Sequence, residues 1–217
     1  MTWQWAVPIA VAIALGLVTP RLLRALPPPV DEPAARPYVP LATRGFAAVA
    51  LVLTALAGTL VLALAPPYWF GWAGLSTVGV LAAMIDARTG YLPAVLMRAG
   101  WVLTLVGTAV TAAVLTDWQV LVRAAVGAAA SAALIWVFHR IGGGFGFGDV
   151  RLAPIIGATA ASVGWPTLFS ALILGGLLGV LWGLVWRALG RGKTFPYGPA
   201  LVAGPYLALV AAVLMPA

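Results

Sequence analysis

The apolar residues of this chain come in long runs, and the polar ones fall in the breaks between them. Bilayer hydrocarbon takes about 20 apolar residues per spanning helix. The pattern predicts eight candidate spans, at residues 3–19, 46–65, 68–86, 93–115, 118–138, 151–163, 165–186 and 198–216. The sixth is short for a full span, so it is expected to be tilted, lengthened by its loops or shielded by neighbouring helices. The fold class this implies is an all-α polytopic membrane protein of about eight transmembrane helices, with 1–217 forming a single membrane-embedded domain. The first run, "WQWAVPIAVAIALGLV", has no basic residues ahead of it and is followed by Arg21 and Arg24. A cleaved signal peptide has the opposite charge order, so a retained first span is expected.

Composition agrees with the pattern. The chain is 63% hydrophobic and 8% charged, with mean hydropathy +1.07, whereas an ordinary soluble domain is about a quarter charged. Residues 20–45 form the one sizeable polar loop. Its "LPPPVDEPAARPYVP" reads as an extended proline-rich tether and contains no packed domain.

Charge then orients the bundle. The loops at 20–45, 86–98, 139–151 and 187–197 hold eleven of the 12 basic residues, while 66–67, 116–117 and 164 hold none. The remaining arginine, Arg123, lies one turn inside the fifth span. The positive-inside rule places the four basic loops in the cytoplasm and both termini on the outer side. Tyr68, Trp69, Phe70, Trp72, Trp118 and Trp165 cluster near the opposite face as an aromatic belt. The net charge of +7 is thereby explained as a topology signal, and nucleic acid is not expected as a partner. The expected partner is the lipid bilayer. There is no cysteine, so disulfides, thiolate metal sites and cysteine catalysis are excluded, and the lone His139 makes a metal centre a poor expectation. Glycines 175, 179 and 183 line one helix face with small residues, as close helix packing requires.

The five acidic residues decide the chemistry. Asp31 and Glu32 fall in the tether and Asp117 in an outer loop, where each is solvated. Asp86 and Asp149 stand at the ends of apolar helices, 63 residues apart but at one membrane depth. An ionisable residue in that position is costly and points to function. Arg88 and Arg151 each follow an aspartate by two residues, so a local charge pairing is the alternative for either one. Two neighbouring carboxyls cannot both ionise easily and share a proton. One can then take a proton from water while the other donates, as in an aspartic protease. The glycines of "GGGFGFG" ahead of Asp149 suit the close approach of a substrate backbone. They match neither dinucleotide-binding nor phosphate-loop spacing, so no nucleotide is expected.

Two stretches carry a resemblance. "DARTGYLP", with Asp86, Thr89, Gly90, Leu92 and Pro93, and "GFGDVRL", with Gly146, Gly148, Asp149, Arg151 and Leu152, resemble the paired motifs of the type IV prepilin leader peptidases and preflagellin peptidases. "FPYGPALVAG" is similar to that family's C-terminal "PFGP" span. The resemblance runs from about residue 70 to the end. It implies a membrane aspartic endopeptidase of the cytoplasmic (inner) membrane, with Asp86 and Asp149 catalytic and the site facing the cytoplasm. The implied partner is a prepilin or pseudopilin precursor with a short basic leader, and neither metal nor cofactor is implied. Thr89, Gly90 and Pro93 would shape the turn holding Asp86, and Gly146 and Gly148 would give substrate access. Ala94 stands where the family usually has asparagine. The first cytoplasmic loop lacks the paired C-x-x-C motifs of bifunctional members, so cleavage without N-methyltransferase activity is expected. Presenilin-like proteases also use G-x-G-D but pair it with Tyr-Asp, and here Ile85 precedes Asp86. A transporter or scaffold using the two aspartates as proton or cation sites is the reading from another class. The position of both residues at the membrane edge, away from the midplane, argues against it.

Overall fold

Inside hydrocarbon a chain must satisfy its own backbone hydrogen bonds, and a contiguous apolar run can do so only as a helix. The computed structural model describes residues 3–29, 37–142, 145–190 and 195–215. Among these there is no strand, and the long elements are α1 (Trp3–Ala25), α2 (Arg44–Val61), α3 (Tyr68–Thr89), α4 (Ala94–Leu115), α5 (Gln119–Gly142), α6 (Phe147–Val163), α7 (Trp165–Ala188) and α8 (Gly198–Leu214). The fold is all-α and polytopic. The helices α1 to α5 and α7 are each long and apolar enough to cross a membrane, while α6 and α8 have 17 residues apiece.

Each expected span has a helix, with instructive differences at the ends. The sixth starts at Phe147 rather than 151, which brings Asp149 into the first helical turn. At about 1.5 Å per residue it reaches only about 25 Å, and it is shielded: most of its length is buried among α3, α4, α5, α7 and α8. Gly157 of α6 meets the Gly127 backbone of α5, so these two helices touch main chain to main chain. The first helix runs on through Pro20 to Ala25, six residues into the stretch expected to be tether. Leu23 and Leu26 are buried there, and their packing holds the helix together beyond its apolar run. A short 3₁₀ turn at Val39–Leu41 then leads to Thr43, whose hydroxyl caps α2 by accepting from the Phe46 N–H at 3.2 Å. Asp31 and Glu32 lie outside the described residues.

The helix carrying Asp86 is the central rod. Within its most apolar window, 78% of α3 is buried, against 22–39% for the other long helices. It is α-helical over Tyr68–Gly74, widens to a π-turn at Leu75–Gly79, and is α-helical again over Val80–Thr89. Ser76, within the π-turn, accepts a hydrogen bond at 3.0 Å from the buried Tyr206 hydroxyl of α8. Trp72, expected in the aromatic belt, instead points inward and packs edge-on against Tyr206 at 5.7 Å. Phe70, Trp118 and Trp165 are exposed, as belt residues are. The glycine face of α7 packs as its spacing predicts. Gly175 lies against Ala200 and Gly204 of α8, Gly179 admits the Tyr197 ring, and Gly183 admits Phe195.

Candidate active site

Asp86 sits in the last turn of α3, and that turn is closed by its own sequence. Gly90 takes the left-handed conformation (φ +70°, ψ 10°) and returns its N–H to the Asp86 carbonyl at 2.8 Å. A Cβ there would meet no neighbour, so glycine is favoured by φ alone. Thr89 donates its hydroxyl to the Ile85 carbonyl at 2.9 Å and accepts the Tyr91 N–H at 3.1 Å. Pro93, buried and extended, ends the turn and caps α4. Thr89, Gly90 and Pro93 thus form the connection that fixes the end of the Asp86 helix.

Asp149 is the third residue of α6. Its backbone N–H donates to the Gly146 carbonyl at 3.1 Å, and its Oδ2 accepts the Gly146 N–H at 2.9 Å. This reciprocal pair caps the helix and fixes the carboxyl in one orientation. Gly146 has ordinary extended angles (φ −72°, ψ 155°), and a Cβ on it would come no closer than 3.6 Å to anything. Gly148 is different: its Cβ would lie 2.8 Å from that of Leu92. The second glycine therefore packs one motif against the other, in place of the access role expected for it. Gly143 and Gly144, also part of the glycine-rich lead, lie outside the described residues.

Both carboxyls are 95% removed from solvent, at 5% relative exposure each. Asp86 Oδ2 accepts the Gly198 N–H at 2.9 Å, from the first turn of α8. Asp149 Oδ1 is enclosed without a hydrogen-bond partner. The two acids are within electrostatic reach of each other, and Asp149 of Tyr197. The pairings with Arg88 and Arg151 do not form: the ion pair among the described residues is Arg123 to Asp117, at 3.5 Å. Asp117 also accepts the Gln119 N–H at 2.9 Å, the bland role expected of it. The Arg151 guanidinium lies 4.7 Å over the Phe147 ring.

Two cavities meet at the acids. One, of about 640 Å³, is lined by Pro27–Pro29, Tyr38, Gly90 to Val95, Arg98, Gly146 to Gly148 and Arg151. The other, of about 580 Å³, is lined by Ala87 to Tyr91, Phe145, Gly146, Trp186 and Phe195 to Tyr197. Asp86 and Asp149 belong to both. All four basic-loop segments therefore converge on one end of the bundle, around the two acids. No group of three His, Cys, Asp or Glu residues able to hold a metal occurs among the described residues. His139 Nδ1 lies 2.7 Å from the Phe145 carbonyl, a local contact.

Sequence reasoning missed three contributors. Gly198 grips Asp86, and a Cβ on it would lie 2.8 Å from Asp86 Oδ2. Tyr197 closes the second cavity, its ring 4.3 Å from Phe145 and 5.5 Å from Phe195. Tyr38 and Pro27–Pro29 form a wall of the first. The "YGP" at 197–199 was the available signal for two of these: a glycine before a proline at a helix start frees a backbone N–H to face outward.

An apolar helical bundle with two enclosed carboxyls at one end defines a membrane-embedded protein with a carboxylate-pair site. Comparison with known proteins makes the class specific. Residues 73–184, which include both acids, match the type IV leader peptidase family. Two curated proteins from Burkholderia pseudomallei, strains 1026b and K96243, each described as prepilin leader peptidase/N-methyltransferase, are 31% identical to this chain over 186 residues. That alignment covers 77% of this chain and 52% of each relative, so the chain spans about half the length of the curated proteins it matches. No solved structure matches. The chain belongs to the type IV leader peptidase family.

Proposed function

We propose that this protein is an aspartic endopeptidase that removes the leader from a prepilin-like or pseudopilin precursor at the cytoplasmic face of the inner membrane, with Asp86 and Asp149 as its catalytic pair. The observation that carries the reading is the convergence just described. The two acids come from separate motifs, share two cavities, and are each anchored by one backbone N–H from a glycine. That anchoring leaves the remaining oxygens for chemistry. An enclosed Asp149 oxygen without a partner suits a carboxyl that carries the pair's single proton.

The reaction follows from that protonation state. The ionised carboxylate takes a proton from water as the water oxygen adds to the scissile carbonyl carbon. The protonated carboxyl donates to the carbonyl oxygen. Collapse of the tetrahedral species breaks the C–N bond, and a proton passes to the leaving amine. No metal is required. Four basic-loop segments around the site support its placement on the cytoplasmic side. The 20–45 loop contains no cysteine, which supports cleavage without N-methylation by a cysteine-bound zinc domain in that loop.

The test is co-expression with a prepilin-like precursor, followed by gel and mass spectrometry. Wild type is expected to remove a short leader. Asp86→Asn and Asp149→Asn, each present in the membrane at normal level, are expected to leave the precursor intact. Cleavage surviving either substitution would end the aspartic assignment.

A further inference from the structure

The peptidase reading requires an extended polypeptide to cross the two acids, and the shape of the site says how. The cavities on either side of the pair share Asp86, Gly90, Tyr91, Gly146 and Asp149. Each cavity is the size of an ordinary ligand pocket, about 300–1,000 Å³. A site for water and a carboxyl pair alone needs one small opening, and this one has two large ones that both border the aspartates.

Their linings differ in chemistry. The first chamber carries Arg98 and Arg151 with a proline wall. Away from the two acids, its arginines favour acidic or neutral polar side chains. The second also carries one arginine, Arg88, but is walled by the rings of Phe145, Trp186, Phe195 and Tyr197. Those rings favour bulky apolar side chains. We propose that the chambers are the two halves of one peptide groove, with the aspartates at its waist, so that each chamber reads residues on opposite sides of the scissile bond. This rests on the peptidase reading and extends it to substrate selection.

Gly146 gives the waist a steric signature. It borders both chambers, its backbone angles suit any residue, and a Cβ there meets no protein atom closer than Asp149 Oδ2 at 3.6 Å. The fold therefore tolerates a side chain at this position. The groove does not, because the added carbons would stand beside the carboxyl in the path of the substrate.

The experiment has two arms, both on the full chain in proteoliposomes. In the first, Gly146→Ala and Gly146→Val are compared with wild type for cleavage and for thermal unfolding. Graded loss is expected, reaching roughly a hundredfold for valine, the scale of a misplaced reacting group, with unfolding unchanged. In the second, Arg98→Gln and Phe195→Leu are each assayed against precursors substituted at three positions on either side of the cut. Each variant is expected to change kcat/KM preferences by about tenfold on one side only, and on opposite sides from the other, as altered pocket contacts do. Wild-type cleavage combined with a fully active Gly146→Val sinks the groove alone. So does a shift by both chamber variants on the same side, or by neither. A wild type that cleaves no precursor removes the peptidase reading and the groove with it.

Discussion

Gly198→Ala tests whether the backbone of α8 holds Asp86 for catalysis. The perturbation is one methyl group, added where glycine now sits. It would lie 2.8 Å from Asp86 Oδ2, 3.3 Å from its Cγ and 3.4 Å from its Cβ, all inside the comfortable separation of about 3.5–4.0 Å. Relief has to come from one of two places. Either the carboxyl rotates off the Gly198 N–H, or α8 backs away from α3. Both break the 2.9 Å hydrogen bond. A bond to a charged acceptor contributes about 1.5–3 kcal/mol, and forcing an extra carbon into a packed site costs about 1–3 kcal/mol. If the bond holds the working rotamer of Asp86, its loss appears in kcat/KM as roughly a 10- to 150-fold decrease, at about 1.4 kcal/mol per tenfold. The assay is steady-state cleavage of a reporter-tagged precursor in proteoliposomes, with thermal unfolding measured alongside. Gly45→Ala is the control, because a Cβ there has nothing within 4 Å. A folded Gly198→Ala that cleaves within twofold of wild type would refute the reasoning, and Asp86 would then need some other support.

The turn after Asp86 gives two smaller effects. Gly90→Ala forces a left-handed backbone onto an L side chain and should cost about 1–2 kcal/mol, read as a lower unfolding temperature. Thr89→Val removes the bonds to the Ile85 carbonyl and the Tyr91 N–H, and should cost about 1 kcal/mol for each while lowering cleavage. The pH–rate profile should pass through a maximum. The rate falls on the alkaline side as the pair loses its last proton and on the acid side as both carboxyls become protonated, and a flat alkaline limb would count against a shared proton. Cleavage should be indifferent to a strong chelator such as EDTA, and mass spectrometry of the product should show an unmethylated new amino terminus.

Asp86 and Asp149 were legible because an acid at the end of an apolar run has few reasons to be there. The turn around Asp86 was legible too, since Thr-Gly followed by a proline prescribes a capped helix end with local geometry. Gly198 was not. It acts through a backbone N–H, which every residue but proline carries, and the contact joins positions 112 residues apart. Tyr38 and the prolines at 27–29 were read as a tether because composition describes how a segment is extended. It says nothing about the surface the segment lies on. Trp72 was misplaced for a related reason: an aromatic near a helix start serves an interface or a core equally well, and the Tyr206 ring that decides the matter comes from α8. The short sixth span was resolved by its neighbours, since a helix shielded by five others need not meet lipid along its length.

The grip of Gly198 on Asp86 also sets an order of events in the life of the molecule. During synthesis the chain emerges with Asp86 long before α8 exists, and Asp149 follows while α8 is still unmade. Both acids can be inserted and still lack the N–H that orients one of them and the Tyr197 ring that closes one side of the site. Under the proposed peptidase function, a half-made chain in the membrane would carry both acids without their alignment. The helix α8 would then act as a latch, with cleavage possible only once it has closed.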